Sequence, residues 1–443
     1  VDFGQNFSGV IRLRAQGPAG TRIVATHSEV LDPSGELDKT YTAVPPVIPA
    51  VKQTDVFILA GNGAEVFQPA FTTHGFRYVE VVGYPGELVA DDIVGVVIST
   101  ALEYTGRFTT NDVRLNRLFS NVTWGMIGNL LDVPTDCPTR ERSGWTGDAQ
   151  VFCATATLLA DVDTFFRHWL KDLALEQYPD GAVADIVPVE ALATPGGKRP
   201  ALGAGAAGWG DAAVIVPWTL YERYGDTRVL EDQYESMTRW LDFVARRAAG
   251  GRTWSRRILG TRVEHENHLV DTGFHYGEWL PPGSHPLLGT LRNAFFPPAE
   301  PATAFYAYSS RLMSQIATIL GREADAEIHA QRADSAKLAW QEEFMRPDGR
   351  LHPDRQATYV RGLAFDLLPP ERRTTAASRL AELVEESGRH IGTGFLATPY
   401  LLEALHSSGR SDLAFAILLQ DTEPSWLYEV SKGATTIWEI WQG

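Results

Sequence analysis

The 443-residue sequence is poor in sulfur, with four methionines and only two cysteines, Cys137 and Cys153. Without a CxxC pair or a companion histidine cluster, two cysteines exclude a disulfide scaffold and a zinc site. The chain is also short of positive charge: 39 Lys and Arg stand against 55 Asp and Glu, for a formal net charge of −16. Such a balance repels phosphate backbones and anionic headgroups, so neither a nucleic acid nor a membrane is the expected partner. No run of about 18 apolar residues exists, which excludes a transmembrane helix. The start, Val1-Asp-Phe-Gly-Gln-Asn-Phe-Ser-Gly9, is neither basic nor a signal peptide, and the cytoplasm is the expected compartment. A hydrophobic content of 44% and a charged content of 21% are ordinary for a folded globular chain. The length exceeds one ordinary core and fits two domains.

Against this plain background one stretch stands out, residues 132–148. Pro134, Pro138, Gly144 and Gly147 keep it from being one helix or strand, so it reads as a loop between two apolar helical patterns. It carries Asp132, Asp136, Asp148, Glu141, Arg140, Arg142, Trp145 and Cys137. Carboxylates grip sugar hydroxyls, an indole stacks on the C–H face of a pyranose, and one tuned acid can protonate a leaving oxygen. The competing reading is a structural cluster in which Arg140 and Arg142 neutralise the acids, and composition alone leaves both open. Cys137 has no adjacent histidine and reads as a bystander.

Residues 1–105 read as β. Segments 10–14, 22–27, 55–59 and 78–82 are short and β-branched, and Gly, Pro and Asp clusters separate them. That pattern predicts an antiparallel β-sandwich. His27, Glu29 and His74 are its polar outliers, expected to serve structure at strand ends. From Thr110-Asn-Asp112 the period becomes helical. Helices are expected over 149–175, 212–224, 229–247, 302–320, 324–344, 358–368, 376–386, 399–407 and 412–419. Their connections differ in length and no repeat recurs, so a closed ring of helical hairpins is favoured over a solenoid.

Two later loops repeat the pairing of acid, Trp and Gly. In Gly208-Trp-Gly-Asp211 the glycines are expected to leave Trp209 exposed, and Asp211 doubles as a helix N-cap. The other is His275-Tyr-Gly-Glu-Trp-Leu280, with Glu278 and Trp279. Trp124, Trp169, Trp240 and Trp340 fall on helical patterns and are expected in the core. Glu439, in Gly433-Ala-Thr-Thr-Ile-Trp-Glu-Ile-Trp441, has apolar neighbours and no nearby base. Read as helix, it is either a buried acid of raised pKa, the favoured reading, or a surface residue of an interrupted apolar stripe.

Asp136-Cys-Pro-Thr-Arg-Glu-Arg-Ser-Gly-Trp-Thr-Gly-Asp148 resembles the signature of bacterial α-L-rhamnosidases of glycoside hydrolase family 78. The likeness covers nearly the whole chain. Residues 1–9 and 74–81 resemble the β-sandwich that precedes the family's barrel, and residues 208–218, 276–280 and 433–439 resemble its barrel motifs. The resemblance implies a multidomain β-plus-α protein, with a β-sandwich over 1–105 and an (α/α)6-barrel catalytic domain over 106–443. It also implies inverting hydrolysis of terminal α-L-rhamnosides in a rhamnose-containing glycoside or oligosaccharide, with no metal or other cofactor. Glu141 then matches the general acid and Glu439 the general base. Asp136, Arg140, Trp145 and Asp148 match residues that hold the sugar, Trp209 and Trp279 match aromatic walls, and Glu278 stands where many members have Asp. Many members also have one more residue between the Arg and the Glu of the first motif. The family's barrel runs on past the Trp-Glu motif, so the chain is expected to be truncated at its C-terminal end.

Inversion needs two carboxyl groups about 6.5–9.5 Å apart. Glu141 must be protonated at rest, so the resemblance predicts a raised pKa and arginines turned away from it, with Arg140 paired to Asp136 or Asp148. Another glycosidase or a phosphorylase on the same ring, and a non-catalytic sugar-binding fragment, are the alternatives.

Overall fold

The computed structural model describes residues 1–43, 50–189, 203–260 and 262–441. Gln442 and Gly443, which end the Trp-rich terminal stretch, lie outside the described residues. By packing, the chain divides into two units: Val1–Gly144 with Gly433–Ile437, and Trp145–Lys432 with Trp438–Gly443.

The first unit is built on a six-stranded antiparallel sheet. Its strands are β1 (Asp2–Gln16), β2 (Arg22–Ser28), β3 (Thr54–Ile58), β4 (Ala64–Phe67), β5 (His74–Val82) and β6 (Ile93–Val97). The order is β3-β2-β5-β1-β4, with β6 pairing β1 as well. β1 is long enough to serve several partners. Its first part pairs β5 with Phe7 opposite Phe76, its middle pairs β6, and its end pairs β4 with Leu13 opposite Phe67. Alternation directs Leu13 and Ala15, Ile23 and Ala25, and Phe57 and Leu59 into one core with Phe7, Phe76 and Val79. The strands not read from the sequence, β4 and β6, pair with β1 alone among the described residues and show little buried surface, so they lack a clean alternating signature. Helix α1 (Val113–Asn129) starts at Asp112, whose carboxylate caps the Arg114 N–H, and packs Trp124 against the sheet core.

The second unit is helical. An inner row consists of α2 (Thr146–Leu159), α4 (Ala212–Tyr224), α8 (Ala299–Ile319), α10 (Gln356–Ala364) and α12 (Thr398–Ser407), each against the next. An outer row of α5 (Arg228–Gly250), α9 (Glu323–Phe344), α11 (Pro370–Glu386) and α13 (Ser411–Leu418) packs on the inner helices that precede them. α3 (Asp163–Glu176) packs on α4 and α5, and α6 (Trp254–Leu259), α7 (Pro286–Phe295) and α14 (Trp426–Ser431) are shorter. Two of the inner helices are buried nearly all round, α4 over Ala212–Pro217 and α10 over Gln356–Leu363. Outer ones bury a stripe, such as Val229, Leu230, Tyr234, Met237, Leu241 and Val244 of α5. The helix expected over 149–175 breaks between α2 and α3, where the Val162 N–H donates to Tyr224 Oη instead of a helical carbonyl. Trp169, Trp240 and Trp340 are buried as expected. No helix among the described residues is long and apolar enough to cross a membrane.

Candidate active site

Apart from a two-residue strand, Val133–Pro134, the 132–148 stretch is irregular up to Trp145, and Asp148 lies in the first turn of α2. Within the first unit this loop is tied to the sheet by a relay of polar groups. Gln53 Nε2 donates to the Thr139 carbonyl at 3.0 Å, so its Oε1 is the acceptor for His74 Nδ1 at 2.7 Å. Thr139 Oγ1 in turn donates to Glu29 Oε1 at 2.7 Å. Gly75 permits this approach, because a Cβ there would sit 2.1 Å from Thr139 Oγ1. Glu29 and His74 thus serve structure, and what they hold is the loop that bears Glu141.

Inside the loop, Asp136 Oδ1 accepts the Ser143 N–H at 3.0 Å and Cys137 Sγ accepts the Glu141 N–H at 3.2 Å. Burial pushes the Cys137 thiol up to about 12, which removes it as a nucleophile. Burial, and after it the nearby Glu141 charge, push Asp136 up to about 6. Arg140 corrects one expectation. Its Nε and Nη2 donate to Glu141 Oε1 at 3.2 and 2.9 Å, so the guanidinium sits on the glutamate rather than turned away. Arg142 donates to the Thr73 carbonyl at 3.0 Å and takes a left-handed φ of 54°. A non-glycine residue held there costs about 1–3 kcal/mol, and such strain gathers at functional sites.

In the second unit three tryptophans from three loops gather around a residue the sequence reading passed over, Tyr276. Trp145 meets its ring edge-on at 5.7 Å, Trp209 lies at 4.3 Å and Trp279 at 5.8 Å. Tyr276 stood in the quoted motif, but the neighbouring tryptophans drew the argument. Trp209 is a second correction: it is 3% exposed. Gly147 makes room for it, since a Cβ there would lie 2.6 Å from the indole. Trp145 and Trp279 are half-buried and keep accessible surface. Asp211 stands at the start of α4 but makes no capping bond. Its buried carboxylate accepts from Gly208 N, Trp240 Nε1 and Ser309 Oγ at 2.8, 3.1 and 2.6 Å. Buried His275 accepts the Ala207 N–H at Nδ1, at 2.9 Å, joining the two Trp-bearing loops.

Glu278 is not an open sugar ligand. Its Oε1 accepts the N–H groups of Gly394 and Ala397, both at 2.9 Å, and its Oε2 faces Arg361. The Trp279 carbonyl accepts from Phe395 N at 2.7 Å, and Leu280 takes a left-handed φ of 51°. Glu278 therefore sets the backbone on which Trp279 is presented.

Glu439 is the third correction. It is exposed and lies in a bend, because the helix before it ends at Ser431 and Gly433 turns with φ 83°. The buried acid of this region is Glu429 on α14, 1% exposed and pushed up to about 8 by burial.

Among the described residues, His27, Asp55 and His74 bring candidate metal-ligand atoms within 4.8 Å of one another. The two imidazoles are stacked, with centroids 4.1 Å apart and planes 14° from parallel. In-plane lone pairs of stacked rings run side by side and cannot converge on one ion. The group fits a structural role better than a metal site.

A family model described as the bacterial alpha-L-rhamnosidase 6 hairpin glycosidase domain matches residues 103–443, and the bacterial alpha-L-rhamnosidase concanavalin-like domain matches residues 1–99. The chain belongs to the bacterial α-L-rhamnosidase family. The helical rows described above are accordingly of the (α/α)6-barrel class. The family models divide the chain near residue 100, whereas by packing α1 and the Glu141 loop belong with the sheet. An alpha-L-rhamnosidase of Streptomyces avermitilis is 40% identical over 442 residues, which is all of this chain and 38% of that protein. One from Formosa agariphila is 34% identical over 455 residues, covering 99% of this chain and 44% of that protein. The crystal structure of Streptomyces avermitilis alpha-L-rhamnosidase complexed with L-rhamnose matches with a TM-score of 0.86 at 39% identity, over 99% of this chain and 38% of that one. The chain thus spans less than half the length of these relatives.

Proposed function

We propose that the protein carrying this chain is an inverting glycoside hydrolase that releases terminal α-L-rhamnose from rhamnosides. The observation that carries the reading is the build of the Glu141 loop: a strained, hydrogen-bonded turn that presents a carboxyl group beside a guanidinium and a half-buried second acid of raised pKa. Family membership supplies the substrate class.

In this reading Glu141 gives its proton to the glycosidic oxygen as the C1–O bond breaks, and charge develops on the ring carbon and oxygen. Glu439 takes a proton from a water that attacks C1 from the opposite face, so the sugar leaves with inverted configuration. Glu439 is exposed, so water can reach the residue, as a general base requires. For Glu141 to donate, the Arg140 contact has to open as the glycoside enters. Arg140 is then free to take a sugar hydroxyl, along with Asp136 and Asp148. Trp145 and Trp279 offer the apolar surface that the rhamnose C6 methyl calls for. Trp209 and Glu278 support that wall from behind.

In the full-length protein, Glu141→Gln should slow release from an alkyl rhamnoside by about 10²–10⁴-fold. Release from an activated aryl rhamnoside should suffer far less, because a good leaving group needs little protonation. Unchanged release of the poor leaving group would remove Glu141 from the acid role.

A further inference from the structure

One short helix grips the terminal segment on either side of Glu439. Before it, the Trp438 N–H donates to Glu429 Oε2 at 3.2 Å. After it, the Trp441 ring meets Trp426 of the same helix, with centroids 6.2 Å apart and planes at 64°. The helix is itself anchored: Leu427 is buried, and buried Ser425 Oγ accepts the Tyr428 N–H at 3.1 Å. We propose that Glu429 is a positioning residue for the hydrolysis, fixing through the Trp438 amide the backbone from which Glu439 acts. The inference rests on the reading of Glu439 as the base.

The physical need is plain. Glu439 is exposed, and where its carboxyl group can stand depends on the backbone that carries it. A misplacement of about 1 Å can cost about 100-fold in rate. A greasy side chain at position 429 would fill the same space at lower cost than a buried carboxyl, but it would leave the Trp438 N–H unmet. With burial pushing Glu429 up to about 8, the group is largely a neutral acid at pH 7. What it supplies there is an acceptor oxygen, which an amide also has.

The test compares Glu429→Gln with Glu429→Leu in the full-length protein. Gln keeps the acceptor and should hold kcat within about 3-fold of the parent, whereas Leu should lower kcat by about 10–100-fold with KM within about 2-fold. Amide hydrogen exchange should quicken at Trp438 in the Leu variant and not in the Gln variant. Should Leu prevent folding, Glu429→Met keeps the side-chain length without the acceptor and takes its place. Parent-like kcat in the apolar variant overturns the proposal. So does a Gln variant as slow as Leu, which would make the proton, not the acceptor, the important feature. A parent protein inactive on every rhamnoside sinks the base assignment, and the role with it. Exchange at Trp438 reports on the contact in either case.

Discussion

Two acids, one half-buried and one buried, hold two segments of the helical unit, and they do so in opposite ways. Glu278 holds the Trp279 loop as a paired charge. Arg361, 2% exposed, faces both Glu278 and Glu300, and Trp340 Nε1 donates to Glu300 Oε1 at 3.2 Å. Burial works against the Arg361 charge, but the carboxylates of Glu300 and Glu278 outweigh it and hold the guanidinium above its ordinary range. Glu429 holds the Glu439 segment as a neutral acid that accepts one backbone N–H, from Trp438. A paired charge fixes its loop independently of pH but at high stake, because either partner alone is a buried charge. A neutral acid is cheaper to bury and weaker, and it gives way when it ionises.

The comparison breaks most directly at Arg361. Arg361→Met leaves buried Glu300 and half-buried Glu278 without their cation, and should cost about 3–5 kcal/mol of folding stability. Urea unfolding of parent and variant measures it. A loss below about 1 kcal/mol would mean that the cluster is not what secures the Trp279 loop.

The second difference is one of pH. Glu429 rises from 4.5 to about 8 on folding, so the folded chain binds the extra proton between those values. Stability from this group is fully present below 4.5 and is lost as pH rises through 8, at up to about 1.4 kcal/mol per pH unit. His27, His275 and His329, lowered by burial to about 4, 3 and 4, contribute the opposite slope, but only below their ordinary 6.5. The window from pH 6.5 to 8 therefore favours Glu429. Melting temperatures should fall across it in the parent and stay flatter in Glu429→Gln. Equal slopes would put Glu429 in the same class as Glu278.

Both acids show what the sequence could and could not reveal. The loop at 132–145 was legible because prolines, glycines and charges break a helical period there, and most helices of the second unit followed from apolar spacing. Arg361 left a signal that went unread, a lone cation inside the apolar 358–368 stretch, where a helix buried all round must supply its partner. Local spacing also placed the buried acid at Glu439, by reading the segment 433–441 as helix. The glycine turns the chain, and burial falls on Glu429, one helix earlier. Trp209 read as exposed because its flanking glycines suggest an open turn. Its burial depends on Gly147, distant in sequence, leaving room for the indole. Roles for Glu141 and Glu439 came from resemblance, since spacing alone could not pair residues so far apart.

Asp136, in the Glu141 loop of the first unit, lies between the two extremes and should show the smallest effect. Its Oδ1 accepts the Ser143 N–H, as Glu429 accepts an amide, while its pKa rises only to about 6. Asp136→Asn keeps that acceptor, so the change in stability should stay within about 1 kcal/mol. Its sign should turn with pH. The folded Asp136 binds its proton more tightly than the unfolded one between 3.8 and about 6, so parent stability from this group is complete below 3.8 and is lost as pH passes 6. The Asn variant should gain on the parent between pH 4 and pH 7, as thermal unfolding at the two values would record. A variant that instead loses ground as pH rises would show that the ionised Asp136 is the form the loop prefers, and would place it with the paired charges of Glu278 rather than with Glu429.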